Sequence, residues 1–352
     1  MQLFSTLADY GHESVTVLTD RSSRLRALVA QNDSRLGPVL APLKVWPYAA
    51  DADAFRDVLH RARALTAKAA LAGTDLGGGA ITLVANPGEP NAEAAVRALG
   101  RHVEGHGGRL VVTDEPGTDA DTLAFLARET AHVATLSEEE RAEWTALGAF
   151  HGLRACLRRA LGHDDVGRAS YAVQGAGQVG QRLVRRLRAT GATVWVSDLN
   201  DARTEALVAS TGAQAVPMQQ IFDLPATVFC PCAMSGVLNE DTIPRLGAKV
   251  VAGTANDALK NERSAELLAD RGIVYAPDFA INAGDLIALS LSREGASRAA
   301  IETAVARLDA TLERVFLHAE RARLLPAAAA LALAHARITA LHAAVPAVGR
   351  HR

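Results

Sequence analysis

The clearest chemical pattern lies in "YAVQGAGQVGQRL", where Gly175, Gly177 and Gly180 form G-x-G-x-x-G. The residues before it read as a strand and those after it as a helix, and Asp198 closes the following strand, "ATVWVSD". In that setting the first glycine allows a tight turn, the second lets a pyrophosphate approach the backbone, and the third lets helix pack on strand. The helix N-terminus offers N–H groups and positive potential to phosphate. A carboxylate at Asp198 suits both ribose hydroxyls and repels a 2′-phosphate, so the pattern predicts NAD rather than NADP. The competing reading, a glycine-rich turn that binds nothing, is outweighed by this full context.

A second stretch, "KAALAGTDLGGGAITLVANP", raises a different question. Lys68 falls in the last turn of a predicted helix. Gly77, Gly78 and Gly79 then read as a loop that lets another group approach the backbone. Such a loop is expected to deliver a reactive side chain, and here it delivers the methyl group of Ala80. Other chemistry-bearing residues are read more plainly. Cys230 and Cys232 flank Pro231 but have no nearby His or Cys pair, so they make no zinc site and instead line the cofactor side of the domain. Cys156 falls among apolar residues as core, the eleven histidines are scattered, and "SEEERAE" is a solvated helix start with acids at the positive end.

These residues need elements to hold them. The 352 residues exceed one ordinary domain and suit two. A hydrophobic content of 49% and a net charge of -2 describe a globular protein with ample core and no basic footprint for nucleic acid. Three cysteines form no disulfide framework, which fits a reducing, cytoplasmic compartment. "MQLFSTLADYGHES" has no secretory character, and "LLPAAAALALA" reaches about half the length of a membrane span. Strand-like "ESVTVLTD" and "RLRALVAQND" come first, then the helix "DADAFRDVLHRARALTAKAALAG" capped by Asp51 or Asp53. Strands "AITLVA", "RLVVT" and "HVATL" alternate with helices, which predicts a mostly parallel sheet covered on both faces. A long helix follows from about Glu138 to Leu161, and a second α/β unit begins at "SYAVQ". From Ser290 the chain reads as helical, with Pro326 in the first turn of the last helix. The expected division is residues 1–140, 141–325 and a C-terminal helix at 326–352.

Together with "LGPVL", "CPCAMSGVLNEDTIPRLGAKVVAGTAND" and "GIVYAPDFAINAG", these motifs resemble the Glu/Leu/Phe/Val dehydrogenase family over nearly the whole chain, its leucine and valine dehydrogenase branch most closely. The resemblance implies an N-terminal α/β substrate and oligomerisation domain, a C-terminal Rossmann NAD-binding domain and a cleft between them. It also implies amino-acid and keto-acid chemistry in a homo-oligomer, a dimer or an octamer, with no membrane or nucleic-acid partner. Lys68 matches the lysine that binds the substrate carboxylate. Gly175, Gly177, Gln178, Val179, Gly180 and Asp198 match the cofactor set, to which Cys230, Ala255, Asn256 and Asn282 are added. Thr145 matches a threonine near the cleft. Asn256 and Asp257 match a segment that holds the substrate carboxylate, with Asp257 standing where an amide would be less repulsive.

The departures from the family cluster at the chemistry. The family has a lysine after the triple glycine, which activates water and shuttles protons; this chain has Ala80. Its glycine pair and arginine are replaced by "APLKV", with Leu43 and Ala80 on the substrate side among apolar residues that include Ala41, Val45, Leu286 and Leu289. The family's catalytic aspartate is matched by Glu115. Hydride leaves or reaches the substrate carbon through the nicotinamide, whereas the missing lysine serves addition of water and loss of ammonia. Three readings follow. The chain transfers hydride to or from a C=N or CH–NH bond of an amino-acid-like or imine substrate that needs no activated water. Alternatively it is an ordinary amino-acid dehydrogenase whose base is Lys44 or Glu115. Alternatively it is a catalytically inactive relative that scaffolds or regulates a partner.

Overall fold

The computed structural model describes residues 3–85, 92–115 and 118–344. Chain contacts divide it into two compact units, Met1–Thr135 with Ala334–Arg352, and Leu136–Leu333.

The first unit runs α1 (Leu3–Tyr10), β1 (Ser14–Asp20), β2 (Leu25–Asp33), β3 (Val39–Val45), α2 (Asp51–Ala72), β4 (Gly77–Leu83), α3 (Ala92–Glu104), β5 (Leu110–Asp114) and α4 (Ala120–Ala127). Its sheet has the order β1-β2-β4-β3-β5. β3 is parallel to β4 and β5, but β2 is antiparallel to both β1 and β4. The sheet is therefore mixed, not mostly parallel, because β1 and β2 are joined by a short turn with Arg24 at φ 57°, which leaves no room for a crossover helix. The expected strand "HVATL" shrinks to one bridge, Val112 to Val133.

Strand alternation sorts β3 and β4 between two cores. Val39, Ala41, Leu43, Val45, Ile81 and Leu83 join the core with α3 and α4 residues such as Val96, Leu99 and Leu126. Ala80 joins Leu28, Ala30, Phe55, Val58, Leu59 and Ala62 in the core beneath α2. The triple glycine lies within β4 and is not a loop. A β-carbon on Gly78 would run into the Thr66 hydroxyl of α2, and one on Gly79 would stand 2.5 Å from Val39 Cγ1. Close packing on both faces, rather than approach of a ligand, demands glycine there. Neither Asp51 nor Asp53 caps α2: Ala50 is its N-cap, and both acids lie in the first turn, where they complement the helix dipole. At the other end Gly73 closes α2 in the left-handed region at φ 80°.

The second unit runs α5 (Glu138–Leu161), β6 (Ser170–Gln174), α6 (Gln178–Ala189), β7 (Thr193–Ser197), α7 (Asp201–Thr211), β8 (Gln214–Ala215), β9 (Val228–Pro231), β10 (Val250–Val251), α8 (Glu262–Asp270), β11 (Val274–Tyr275), α9 (Asp278–Ile281), α10 (Gly284–Arg293), α11 (Arg298–Ala306) and α12 (Leu308–Ala322). α13 (Pro326–Ala344) begins here, and from Ala334 the chain belongs to the first unit. The remainder of the expected C-terminal helix lies outside the described residues.

All pairs in the second sheet are parallel, in the order β11-β10-β9-β6-β7-β8. This is a doubly wound sheet whose strand order reverses at β6, the place where such sheets bind dinucleotides. α5 opens on a reciprocal capping box between Ser137 and Glu140 and packs on α6, α10 and α12, so it belongs wholly to the second unit. The expected boundary after residue 140 falls inside it. No single helix among the described residues is long and apolar enough to cross a membrane.

Candidate functional site

The two units each carry part of the expected residue set. In the second unit, Gly175 follows β6 with φ 109° and donates its N–H to Ser197 O at 2.7 Å. A β-carbon there would lie 2.8 Å from Ala233 Cβ. One on Gly180 would run into the Gly175 carbonyl oxygen, so helix and turn touch as the fingerprint requires. Gly177 is different. It is the N-cap of α6, and a β-carbon there would meet nothing within 4 Å. The open space lies where a pyrophosphate would meet the first turn of α6, which carries Gln178 and Val179. Asp198 closes β7. Its Oδ2 accepts the Ala176 N–H at 2.7 Å and its Oδ1 the Asn200 N–H at 2.8 Å. These bonds fix the carboxylate against the turn and leave lone pairs for ribose hydroxyls.

Across the switch point, Asn282 is 3% exposed. Its amide nitrogen donates to Asn256 Oδ1 at 2.7 Å and to Thr254 O at 3.4 Å, tying "GTAND" to "INAG". Its Oδ1 is buried without a hydrogen-bond partner. A buried unsatisfied amide oxygen costs free energy unless a donor arrives, and a carboxamide N–H₂ is such a donor. Ala255 is buried beside it, whereas Asn256 and Asp257 are exposed, the latter at φ 49°. The residues present in this unit thus fit an NAD molecule.

Cys230 does not take the expected place beside the cofactor. It is fully buried within β9, and desolvation raises its thiol pKa well above the ordinary range. The cysteine at the glycine turn is Cys232, one strand step further. Asp278, which sequence reading did not single out, is half-buried and raised above the ordinary carboxyl pKa by desolvation, while it accepts N–H groups from Phe279 and Ala258. Thr145 is 7% exposed, and its hydroxyl is used within α5, donating to Arg141 O at 2.8 Å. Among the described residues no group of three His, Cys, Asp or Glu could hold a metal ion.

In the first unit, Lys68 is half-buried on α2. Leu43 does not line a substrate pocket: it is fully buried in the core on the face of β3 opposite Lys44, and Ala41 and Val45 share that core. Ala80 is likewise closed off, at 0% exposure under α2. Pro42 lacks an N–H, and pairing of β3 with β4 lapses at Ala41 and Pro42 before resuming at Leu43–Ile81.

The polar chemistry of this unit gathers instead around Arg61, which sequence reading missed because one arginine on an amphipathic helix looks like a solvated residue. Its side chain is 13% exposed. Nε donates to Asp57 at 2.8 Å, Nη2 to Thr82 Oγ1 at 2.6 Å and to Ile81 O at 3.0 Å, and Nη1 to Glu115 and to Pro42 O at 3.4 Å. Asp57 also takes the Tyr48 hydroxyl and the Lys44 ammonium at 3.3 Å. Burial alone would raise Asp57, but Tyr48, Arg61 and Lys44 together bring its pKa below the ordinary carboxylate value. At Glu115 burial prevails over Arg61 and Lys44, and the pKa stands above the ordinary value. Both groups weighed as substitute bases are therefore already ion-paired, Lys44 with Asp57 and Glu115 with Arg61.

Comparison with known proteins identifies the lineage. Residues 12–132 match the Glu/Leu/Phe/Val dehydrogenase dimerisation domain, and residues 195–321 match Glutamate/Leucine/Phenylalanine/Valine dehydrogenase. The chain belongs to this family. It is 35% identical over 349 residues to leucine dehydrogenase of Geobacillus stearothermophilus, covering 98% of this chain and 95% of that one. It is 34% identical to phenylalanine dehydrogenase of Bacillus thermotolerans, covering 88% and 84%. The crystal structure of L-tryptophan dehydrogenase from Nostoc punctiforme superposes with a TM-score of 0.91 at 32% identity, covering 97% of this chain and 100% of that one. As a family member with this nucleotide turn, the chain is an NAD-dependent oxidoreductase of the amino-acid dehydrogenase type.

Proposed function

We propose that this dehydrogenase-family chain moves hydride between NAD(H) and the C=N or CH–NH bond of a small amino-acid-like substrate without activating water at the carbon. The observation that carries this reading is the enclosure of Ala80 among apolar side chains, with the nearby polar site held by an arginine. When bound, NADH supplies the hydride. Reduction of an imine then needs one proton on nitrogen, and Glu115, whose carboxyl burial raises above its ordinary pKa, is the group assigned to donate it. Lys68 takes the substrate carboxylate. In the second unit Gly175, Gly177 and Gly180 admit the pyrophosphate, Asp198 takes the ribose, and Asn282 with Ala255 and Asn256 faces the nicotinamide end.

The match to a dimerisation domain supports assembly as a homo-oligomer through the first unit. The free thiols of Cys156, Cys230 and Cys232 support a reducing, cytoplasmic compartment. The scaffold reading is disfavoured by the intact glycine and aspartate set, which a scaffold does not need. The amino-acid dehydrogenase reading is supported by the likeness to leucine and phenylalanine dehydrogenases and by the raised pKa of Glu115.

The test is a screen of NADH oxidation against keto acids with ammonia, keto acids with primary amines, and cyclic imines, with NAD reduction by amino acids alongside. Turnover confined to preformed imines or keto acid plus amine supports the proposal. Rapid deamination of leucine, valine or phenylalanine would replace it with the second reading.

A further inference from the structure

We propose that Arg61 is a positioning residue that gives this site a fixed, non-titrating cation where the family's lysine would place a titrating one. The inference rests on the reading of Glu115 as the site's acid–base group.

Ala80 and Thr82 share the face of β4 that α2 covers, roughly 7 Å apart along the strand. A four-carbon lysine stem at position 80 would span about that distance. A lysine running along the strand toward Thr82 would therefore meet the Arg61 guanidinium, which is bonded to the Thr82 hydroxyl. All of its N–H donors are engaged: one with Asp57, two with Glu115 and Pro42 O, two with Ile81 O and Thr82 Oγ1. Acceptors from β3, from β4, from Glu115 just after β5 and from α2 itself hold the fork in one orientation. A guanidinium keeps its proton in proteins, whereas a lysine ammonium gives it up when its pKa is lowered. The exchange therefore preserves positive charge beside Glu115 and removes the proton shuttle. That combination suits hydride transfer to a polarised C=N bond and does not suit activation of water.

The charged and titratable groups around Glu115 are Arg61 and Asp57 on α2, Lys44 on β3, Tyr48 after it, and Asp114 next in the chain. Among the described residues, removing Arg61 leaves Glu115 the Lys44 cation, which is bound to Asp57.

The experiment is a carbon-13 NMR titration of the Glu115 carboxyl in the full-length protein, assigned with Glu115→Gln and read without substrate or cofactor. Arg61→Leu should raise the midpoint by roughly one to three pH units, and Arg61→Lys should restore part of the shift. An unmoved midpoint in folded Arg61→Leu would overturn the proposal. If that variant does not fold, Ala80→Lys in the otherwise natural chain decides. With Arg61 in place the introduced ammonium should titrate at least one unit below an ordinary lysine, and an ordinary value would show that the guanidinium does not fill the site. Because no turnover is read, failure here is distinct from failure to find hydride transfer.

Discussion

Arg61 on α2 donates to the Thr82 hydroxyl of β4 at 2.6 Å, one strand step beyond Ala80 on the same face. The interface between helix and sheet is thus apolar through Ala80 and turns polar at Thr82. That change separates a core from a site within a few ångströms, and the predictions below follow from it and from the nucleotide turn.

Ala80→Lys tests how much deamination apparatus survives. The lysine would displace an apolar side chain and face the Arg61 guanidinium, so the variant should lose about 2–5 kcal/mol of stability. Its leucine deamination should rise by far less than the 10²–10⁴ expected of a well-placed acid–base group. Urea midpoints and NAD reduction with leucine measure both. A full-sized gain would mean that the rest of the family's machinery is intact.

Lys68→Ala should raise the Michaelis constant for the true substrate roughly 10- to 150-fold, the effect of one lost hydrogen bond between charged groups. NADH affinity should barely change. An unaltered Michaelis constant would assign Lys68 to the dipole at the end of α2 instead.

Asp198 should make the protein prefer NADH to NADPH in fluorescence titrations. Asp198→Ala should narrow that preference, because the variant no longer repels a 2′-phosphate. It should also loosen the turn that Asp198 ties through the Ala176 N–H. Tighter binding of NADPH by the natural protein would contradict the assignment.

Asp57→Asn gives a pH signature. The folded-state pKa of Asp57 is below its ordinary value, so its contribution to stability is present above the unfolded pKa of about 3.9 and is lost as pH falls through the folded value. At pH 7 the variant should be less stable by on the order of 1 kcal/mol, given partial solvent screening. The difference should shrink steadily below about pH 4. Urea denaturation at several pH values reads it, and a gap that widened in acid would show that the network does not hold Asp57 as a carboxylate.

Much of this was legible in the sequence because it depends on local periodicity and on residues close in the chain. The long helix from Glu138 to Leu161 follows from its apolar spacing and its Ser137–Glu140 cap. The nucleotide turn follows from three glycines and an acid at the end of the next strand: Gly175 takes a positive φ, Gly180 packs against the Gly175 carbonyl, and Gly177 keeps the first turn of the helix open. Lys68 and Ala80 stood out around the triple glycine, and Glu115 became a position of interest only through the family resemblance. What the sequence did not show depends on contacts between distant segments. Nothing local distinguishes Arg61 from a solvated helix residue; only the stacking of α2 on β3 and β4 brings it to Glu115, Thr82 and the carbonyl of Pro42. The triple glycine read as a loop, because glycine's freedom looks alike whether it serves a turn or a crowded strand; the Thr66 hydroxyl above Gly78 decides in favour of the strand. Leu43 and Lys44 are neighbours in sequence but face opposite cores, because successive residues of a strand point to opposite sides, and only the layers packed on each side determine which is core and which is site.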